Sequence, residues 1–294
     1  MNNLRVKVFL LVFFPVFIGL FSSCKKNMIP LANDETSYLP SKPIEYEIDK
    51  SNLIWEDDFL VDGKPDPSKW SYDLGGHGWG NQELQNYTNS ENNAYVKNGL
   101  LGITAIKENS GTNQYSSARL VSKNKGDFLY GRIEVRAKLP VGVGTWPAIW
   151  MLATEQVYGN QYWPDNGEID IMEHVGFDQD VVHGNVHTKA FNHGIGTNKG
   201  NKIGVPKASA SFNVYAVNWF PNKIAFEIND KEYFVFKKNE EFSWEEWPFD
   251  RKFHVILNIA VGGAWGGQKG VQDNIFPQTL EVDYVKVYGI KEKK

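Results

Sequence analysis

Trp163-Pro164-Asp165-Asn166-Gly167-Glu168-Ile169-Asp170-Ile171-Met172-Glu173-His174-Val175-Gly176 is the stretch from which the rest of the chain can be read. From Glu168 onward, acids alternate with strand-forming apolar residues, the period of a strand with one charged and one apolar face. Strict alternation sets Glu168 and Asp170 against Ile169 and Ile171, but it then puts Met172 with the acids and Glu173 with the isoleucines. One extra residue, a β-bulge, returns Glu173 to the acidic face. The apolar reverse face, the flanking Gly167 and Gly176, and the nearby Trp163 favour a buried strand with a functional face over a solvent-facing acidic edge.

Three neighbouring carboxylates repel one another, so at least one pKa must rise, and stability alone gives little reason to gather them. The arrangement suits acid–base chemistry. Glycoside hydrolysis with retention needs an ionised nucleophile and a protonated acid about 5–5.5 Å apart. Five residues of strand rise span about 16 Å, or about 13 Å with a bulge, so Glu168 and Glu173 can cooperate only if their side chains converge over a concave face.

Outward from this stretch, short β-branched or aromatic runs are bounded by turn residues. Asn93–Gly99 leads into Leu100–Ala105, while Tyr130–Ala137, Phe212–Trp219 and Val255–Ala260 read as further strands. Ile224–Ile228 and Tyr233–Phe236 flank Asn229-Asp230-Lys231, a hairpin turn. Only Asn239–Trp247 reads as a short helix, and there is no internal repeat. The expected architecture is one all-β domain over residues 51–290, a mostly antiparallel β-sandwich whose globular part starts near Leu53.

The 294 residues are 41% hydrophobic and 22% charged with a single cysteine, which excludes a disordered chain and a disulfide scaffold. The net charge of −4, without a basic block, excludes nucleic acid as an expected partner. Ten Trp and thirteen Tyr offer flat faces that stack on sugar rings. At the N-terminus, Arg5 and Lys7 precede the apolar run Val8–Phe21, too short for the roughly 20 residues of a membrane span. Ser22-Ser23-Cys24 follows and resembles a bacterial lipobox, with Phe21 where leucine is usual. Residues 1–24 therefore read as a lipoprotein-type signal and Cys24 as the lipidation site. Residues 25–50, with Pro30, Pro40 and Pro43, read as a flexible tether. The expected protein is exported, membrane-anchored through lipid and facing the periplasm or cell surface, or otherwise secreted. It is expected to be monomeric.

Glu168-Ile-Asp170-Ile-Met-Glu173 resembles the signature of glycoside hydrolase family 16, in the bulged form typical of laminarinases (endo-β-1,3-glucanases). The resemblance extends through Trp55-Glu-Asp-Asp-Phe59, Gly78–Thr88, Ser117-Ala-Arg119-Leu120, Gly131–Glu134, Trp146–Leu152, His187-Thr188, Ala260–Gly263 and Val282–Tyr288. It implies a jelly-roll, concanavalin-like sandwich of two curved antiparallel sheets with a concave cleft. It also implies a retaining endo-glucanase acting on laminarin and mixed-linkage β-glucan without a catalytic cofactor. By the same resemblance, Glu168 is the nucleophile, Glu173 the acid and then base, and Asp170 their electrostatic partner, keeping Glu168 ionised. Trp146, Trp150 and Trp163 line the cleft, and Arg119, Asn81 and His187 offer hydrogen bonds to hydroxyls. Trp265 joins them, although Ala264 stands where many laminarinases have Asn. A structural calcium is implied at Asp58, Gly99 and Asp283. Three rivals remain open: the same machinery on agarose or porphyran, a non-catalytic glycan-binding lipoprotein, and a metal-dependent hydrolase built on His183 and His187.

Overall fold

The computed structural model describes residues 44–294. The expected signal segment 1–24 with Cys24, and residues 25–43 of the expected tether, lie outside the described residues. The tether does not extend to residue 50. Its last residues are already strand, because Tyr46-Glu47-Ile48-Asp49 pairs with the C-terminal strand from Tyr46↔Glu292 onward.

The strands in chain order are β1 (Tyr46–Asp57), β2 (Ser71–Tyr72), β3 (Gln85–Tyr87), β4 (Ala94–Lys97), β5 (Leu100–Ser110) and β6 (Asn113–Ser117). Next come β7 (Arg119–Val121), β8 (Asp127–Phe128), β9 (Gly131–Lys138), β10 (Thr145–Ala153), β11 (Glu168–His174) and β12 (Val181–His187). The series ends with β13 (Lys199–Gly204), β14 (Asn213–Phe220), β15 (Lys223–Ile228), β16 (Lys231–Lys237), β17 (Phe253–Val261) and β18 (Gln278–Glu292). Among the described residues the only helical elements are two 3-10 turns, His193–Ile195 and Asp273–Ile275. Asn239–Trp247 is not a helix. Ser243 caps a single turn through Glu246 (Oγ to Oε2, 2.6 Å), and Pro248 stops it, because the residue before a proline avoids helical backbone.

The strands form two sheets packed face to face, a jelly roll. One has ten strands, ordered β16-β15-β14-β9-β18-β5-β6-β3, with β1 also on β18 and β4 on β5. The other has eight, ordered β13-β12-β11-β10-β17-β7-β2, with β8 on β17. All pairings are antiparallel except β3 with β6. The hairpin between β15 and β16 turns at Asn229 and Asp230 with φ of 51° and 61°, the backbone that favours Asn and Asp.

Period-two alternation sends one set of side chains between the sheets. Ile133, Val135, Val217 and Val285 from the ten-stranded sheet meet Ile149, Met151, Ile169, Val186 and Leu257 from the other in one continuous core. Strand β11 breaks the alternation once. Asp170 pairs with Asn185 and Glu173 with His183, so three steps on β11 match two on β12. The same slip appears against β10, where Ile149↔Met172 is followed by Trp150↔Asp170. Ile169, Ile171 and Met172 are all fully buried, and each such side chain contributes about 2 kcal/mol on leaving water. The bulge lets the core keep Met172 while Glu173 turns outward.

Two glycines frame this strand. Gly167, at φ +85°, admits the chain where a Cβ would press to 2.9 Å of Pro248 and 3.1 Å of Phe249 and Phe253. At Gly176 a Cβ would lie 1.7 Å from the Gly142 carbonyl oxygen, which is backbone and cannot swing aside. Gly176→Ala is therefore expected to cost about 3 kcal/mol in urea unfolding. Gly270→Ala, at φ +83° but in open space, should cost only about 1 kcal/mol of backbone strain. Equal losses in the two variants would contradict this account of the strand's end.

Candidate active site

The face of the eight-stranded sheet turned away from the core carries the acids. Register fixes their neighbours: His187 lies opposite Glu168, Asn185 opposite Asp170 and His183 opposite Glu173 on one side. Leu152, Trp150 and Ala148 occupy the matching positions on β10. His187 Nε2 lies 3.2 Å from Asp170 Oδ2 and 3.7 Å from Glu168 Oε1, and its field reaches Glu173 as well. Glu168 and Asp170 thus share one imidazole, and Glu173 lies on the same face beyond the bulge.

Burial pushes all three carboxyls upward, and like charge adds to it at Glu168 and Asp170. Burial is the largest influence on Glu168, followed by Asp170, with His187 opposing. Asp170 rises through burial and Glu173, and its hydrogen bond with Glu168 works the other way. That bond raises Glu168 in turn, so the same contact moves the two carboxyls in opposite directions. Glu173 is raised by burial and pulled back by His187, by Trp146 Nε1 donating to Oε1 (3.1 Å) and by Asn185 Nδ2 donating to Oε2 (3.1 Å).

The expected cleft residues gather around these acids. Trp146 and Trp150 are four apart on one strand and share the outer face, so neither fills the sandwich core. Trp146 meets Trp265 edge to face at 5.5 Å, and Trp265 in turn packs edge-on to His183 at 4.9 Å. Trp150 donates Nε1 to Asn258 Oδ1 at 2.7 Å. The Arg119 guanidinium is sandwiched between the Trp79 and Trp150 rings, 4.6 Å from each, with Asp73 at 3.1 Å from its Nε. Trp163 packs beside His187 at 6.1 Å, and Leu152, Val121 and Ile256 form a small apolar patch with Trp150 and Trp163 on this face. Asn81 reaches Glu83 Oε1 at 3.4 Å.

Several residues here were not singled out from the sequence. Glu83 takes Gln85 Nε2 at 2.6 Å and Tyr87 hydroxyl at 3.4 Å, and burial raises its pKa against those donors. Tyr87 in turn accepts from Asn258 Nδ2 at 2.9 Å, linking this chain to Trp150. Asn81, Glu83, Gln85 and Tyr87 stand at period two, a pattern that could have marked them. His193 stacks on Trp163 at 5.1 Å from a 3-10 turn, and no local pattern announces it.

Among the described residues, the one group of His, Asp and Glu atoms close enough to hold a cation is Glu168, Asp170 and His187, within 4.8 Å of one another. His183 is not part of it, so the His183–His187 pairing that a metal-dependent hydrolase would need does not form. Asp58 and Asp283 are held apart from that group. Asp58 pairs with Lys286 at 2.9 Å, and Asp283 with Arg136. Gly99 sits at the tight turn between β4 and β5 with φ +75°.

An antiparallel sandwich with an aromatic-walled cleft over paired carboxylates defines a glycoside hydrolase. The chain belongs to glycosyl hydrolases family 16, whose sequence pattern matches residues 81–286. It is 57% identical to a beta-glucanase of Rhodothermus marinus across 80% of this chain and 84% of that protein. The X-ray structure of the laminarinase from Rhodothermus marinus superposes with TM-score 0.81 at 54% identity, covering 85% of this chain and 100% of that one. A mutant of SCLam, a non-specific endo-beta-1,3(4)-glucanase from the same family co-crystallised with 1,3-beta-D-cellotriosyl-glucose, gives TM-score 0.78 at 40% identity, over 83% of this chain and 98% of that one.

Proposed function

We propose that this protein is a retaining endo-β-1,3-glucanase that hydrolyses laminarin-type glucan and also cleaves mixed-linkage β-1,3/1,4-glucan. The observation that carries the reading is the bulge, which turns Glu173 to the face of Glu168. Likeness to a beta-glucanase and to two glucanase structures supports the choice of glucan.

In the first step Glu173 gives its proton to the glycosidic oxygen while the Glu168 carboxylate attacks the anomeric carbon. The bond to the departing sugar breaks, that sugar leaves as an alcohol, and an ester to Glu168 forms. Asp170, hydrogen-bonded to Glu168, holds any proton of the pair and leaves Glu168 ionised to attack. Glu173, now ionised, takes a proton from water, whose oxygen attacks the same carbon and breaks the ester. Two inversions retain configuration. Two carboxylates complete this cycle with no catalytic cofactor. Aromatic faces at Trp146, Trp150 and Trp163 receive glucose rings, while Arg119, Asn81 and His187 meet hydroxyls.

The intact acids weigh against a pure glycan binder, which has no use for three clustered, mutually repelling carboxyls. Reducing-sugar release from laminarin, mixed-linkage glucan, agarose and porphyran should favour laminarin strongly. Glu168→Ala should lower it by at least about a thousandfold. Cleavage of agarose or porphyran alone would move the substrate to a galactan. Glycan binding with no cleavage would make the protein a binder.

We also propose a monomer carried on a lipid at Cys24, and a structural calcium. The calcium would rest on the main-chain oxygens of Asp58 and Gly99 and one oxygen of Asp283. The donor chemistry fits: all three groups offer oxygen, both carbonyls lie outside the strand ladders, and Arg136 engages only one Asp283 oxygen. Bound there, the ion would cross-link the ends of the domain. Chelation should therefore lower the melting temperature by a few degrees, with recovery on adding calcium and no change in kcat; a melting temperature indifferent to both removes the site.

A further inference from the structure

Of the two donors on Glu173, the Trp146 indole can only donate, whereas the Asn185 carboxamide can turn either its NH2 or its oxygen toward the acid. The NH2 favours the carboxylate, and the oxygen favours the protonated acid. Two features outside the carboxylate cluster fix the choice. Asn198 Nδ2 donates to Asn185 Oδ1 at 3.2 Å, engaging the oxygen away from Glu173. Gly200 lies opposite Asn185 on the edge strand β13, where a Cβ would stand 2.0 Å from Asn185 Oδ1 and 2.6 Å from the Gly184 carbonyl. Gly200 is not among the glycines at positive φ, so space and not backbone conformation calls for glycine there.

We propose that Asn185 is a positioning residue for Glu173, held by Asn198 and Gly200 with its NH2 toward the carboxylate, so that the edge strand governs how readily the acid parts with its proton. The inference deepens the glucanase reading and rests on Glu173 being its acid and base. Burial alone would make Glu173 too weak an acid to protonate the departing sugar promptly, and the amide offsets that burial.

The other groups facing Glu173 have no comparable adjustment. Asp170 and Glu168 share its strand and repel it. His183 stands opposite on β12 and is held neutral by burial and Lys202 on β13. His187 attracts from the far end of the same strand. Tyr233 on β16, whose hydroxyl lies behind Gly184, is pushed upward by burial and stays neutral. From β10 only the Trp146 N–H reaches the carboxylate.

The test compares wild type with Asn185→Ala, Asn198→Ala and Gly200→Ala on laminarin across pH. It repeats the assay on 2,4-dinitrophenyl β-laminaribioside, whose leaving group departs without a proton. Removing the donor raises the pKa of Glu173, so the basic limb of kcat/KM should move upward by about 0.5–1 pH unit. Laminarin kcat/KM at the wild-type optimum should fall about threefold to tenfold, and the aryl substrate should lose less than about twofold. Asn198 is exposed, so its alanine variant should keep the wild-type melting temperature and isolates the effect from folding. A fixed basic limb with equal losses on both substrates reduces Asn185 to a structural role and overturns the proposal. Full laminarin activity in Glu173→Gln would instead overturn the underlying acid–base reading, whatever the other variants do.

Discussion

The single extra residue between Asp170 and Glu173 is the constraint on which the rest of this molecule depends. With regular alternation the core would receive a carboxylate and the cleft a thioether. An unpaired buried carboxylate costs several kcal/mol, comparable to the whole stability margin of a domain. The slip is therefore enforced by the core as much as by catalysis: Ile171 and Met172 both go inward, and both partner strands accommodate the shift. One local irregularity thus converts an alternating strand into a base for paired acid chemistry.

Once the carboxylates converge, their mutual repulsion has to be managed by neighbours that the sheet supplies at fixed register. His187 on β12 stands 3.2 Å from Asp170 and 3.7 Å from Glu168, Trp146 and Asn185 donate to Glu173, and Glu168 and Asp170 are hydrogen-bonded to each other. The walls follow the same logic of alternation. Even-numbered positions of β10 give Trp146 and Trp150 to the cleft, while odd-numbered Ile149 and Met151 go to the core. Arg119, pressed between Trp79 and Trp150, ties the aromatic wall to the polar chain of Glu83, Tyr87 and Asn258.

Much of this was legible in the chain because it depends on period. The bulge announced itself by breaking an alternation, and the β15–β16 hairpin by its Asn-Asp turn. Trp146 and Trp150 could not be assigned to core or cleft from spacing alone, since the reverse face of their strand is equally apolar. Residues 46–50 were misread as tether because their order comes from pairing with a distant strand, not from their own polar composition. Asn239–Trp247 carries a true Ser243–Glu246 cap, but Pro248 leaves it no room to propagate. Glu83 and His193 owe their places to loops folded over the cleft, and Asn185 shows no purpose until β13 is laid beside it.

In the proposed mechanism Glu168 and Glu173 share one face and divide the labour as nucleophile and acid. The most direct measurement is mass spectrometry of the protein trapped with a 2-deoxy-2-fluoro-β-laminaribiosyl fluoride, which forms the glycosyl ester but hydrolyses it slowly. One sugar per chain is expected, attached to the peptide containing Glu168 at that residue, with no label in Glu168→Ala. A label on Glu173, or on a residue outside β11, would contradict it.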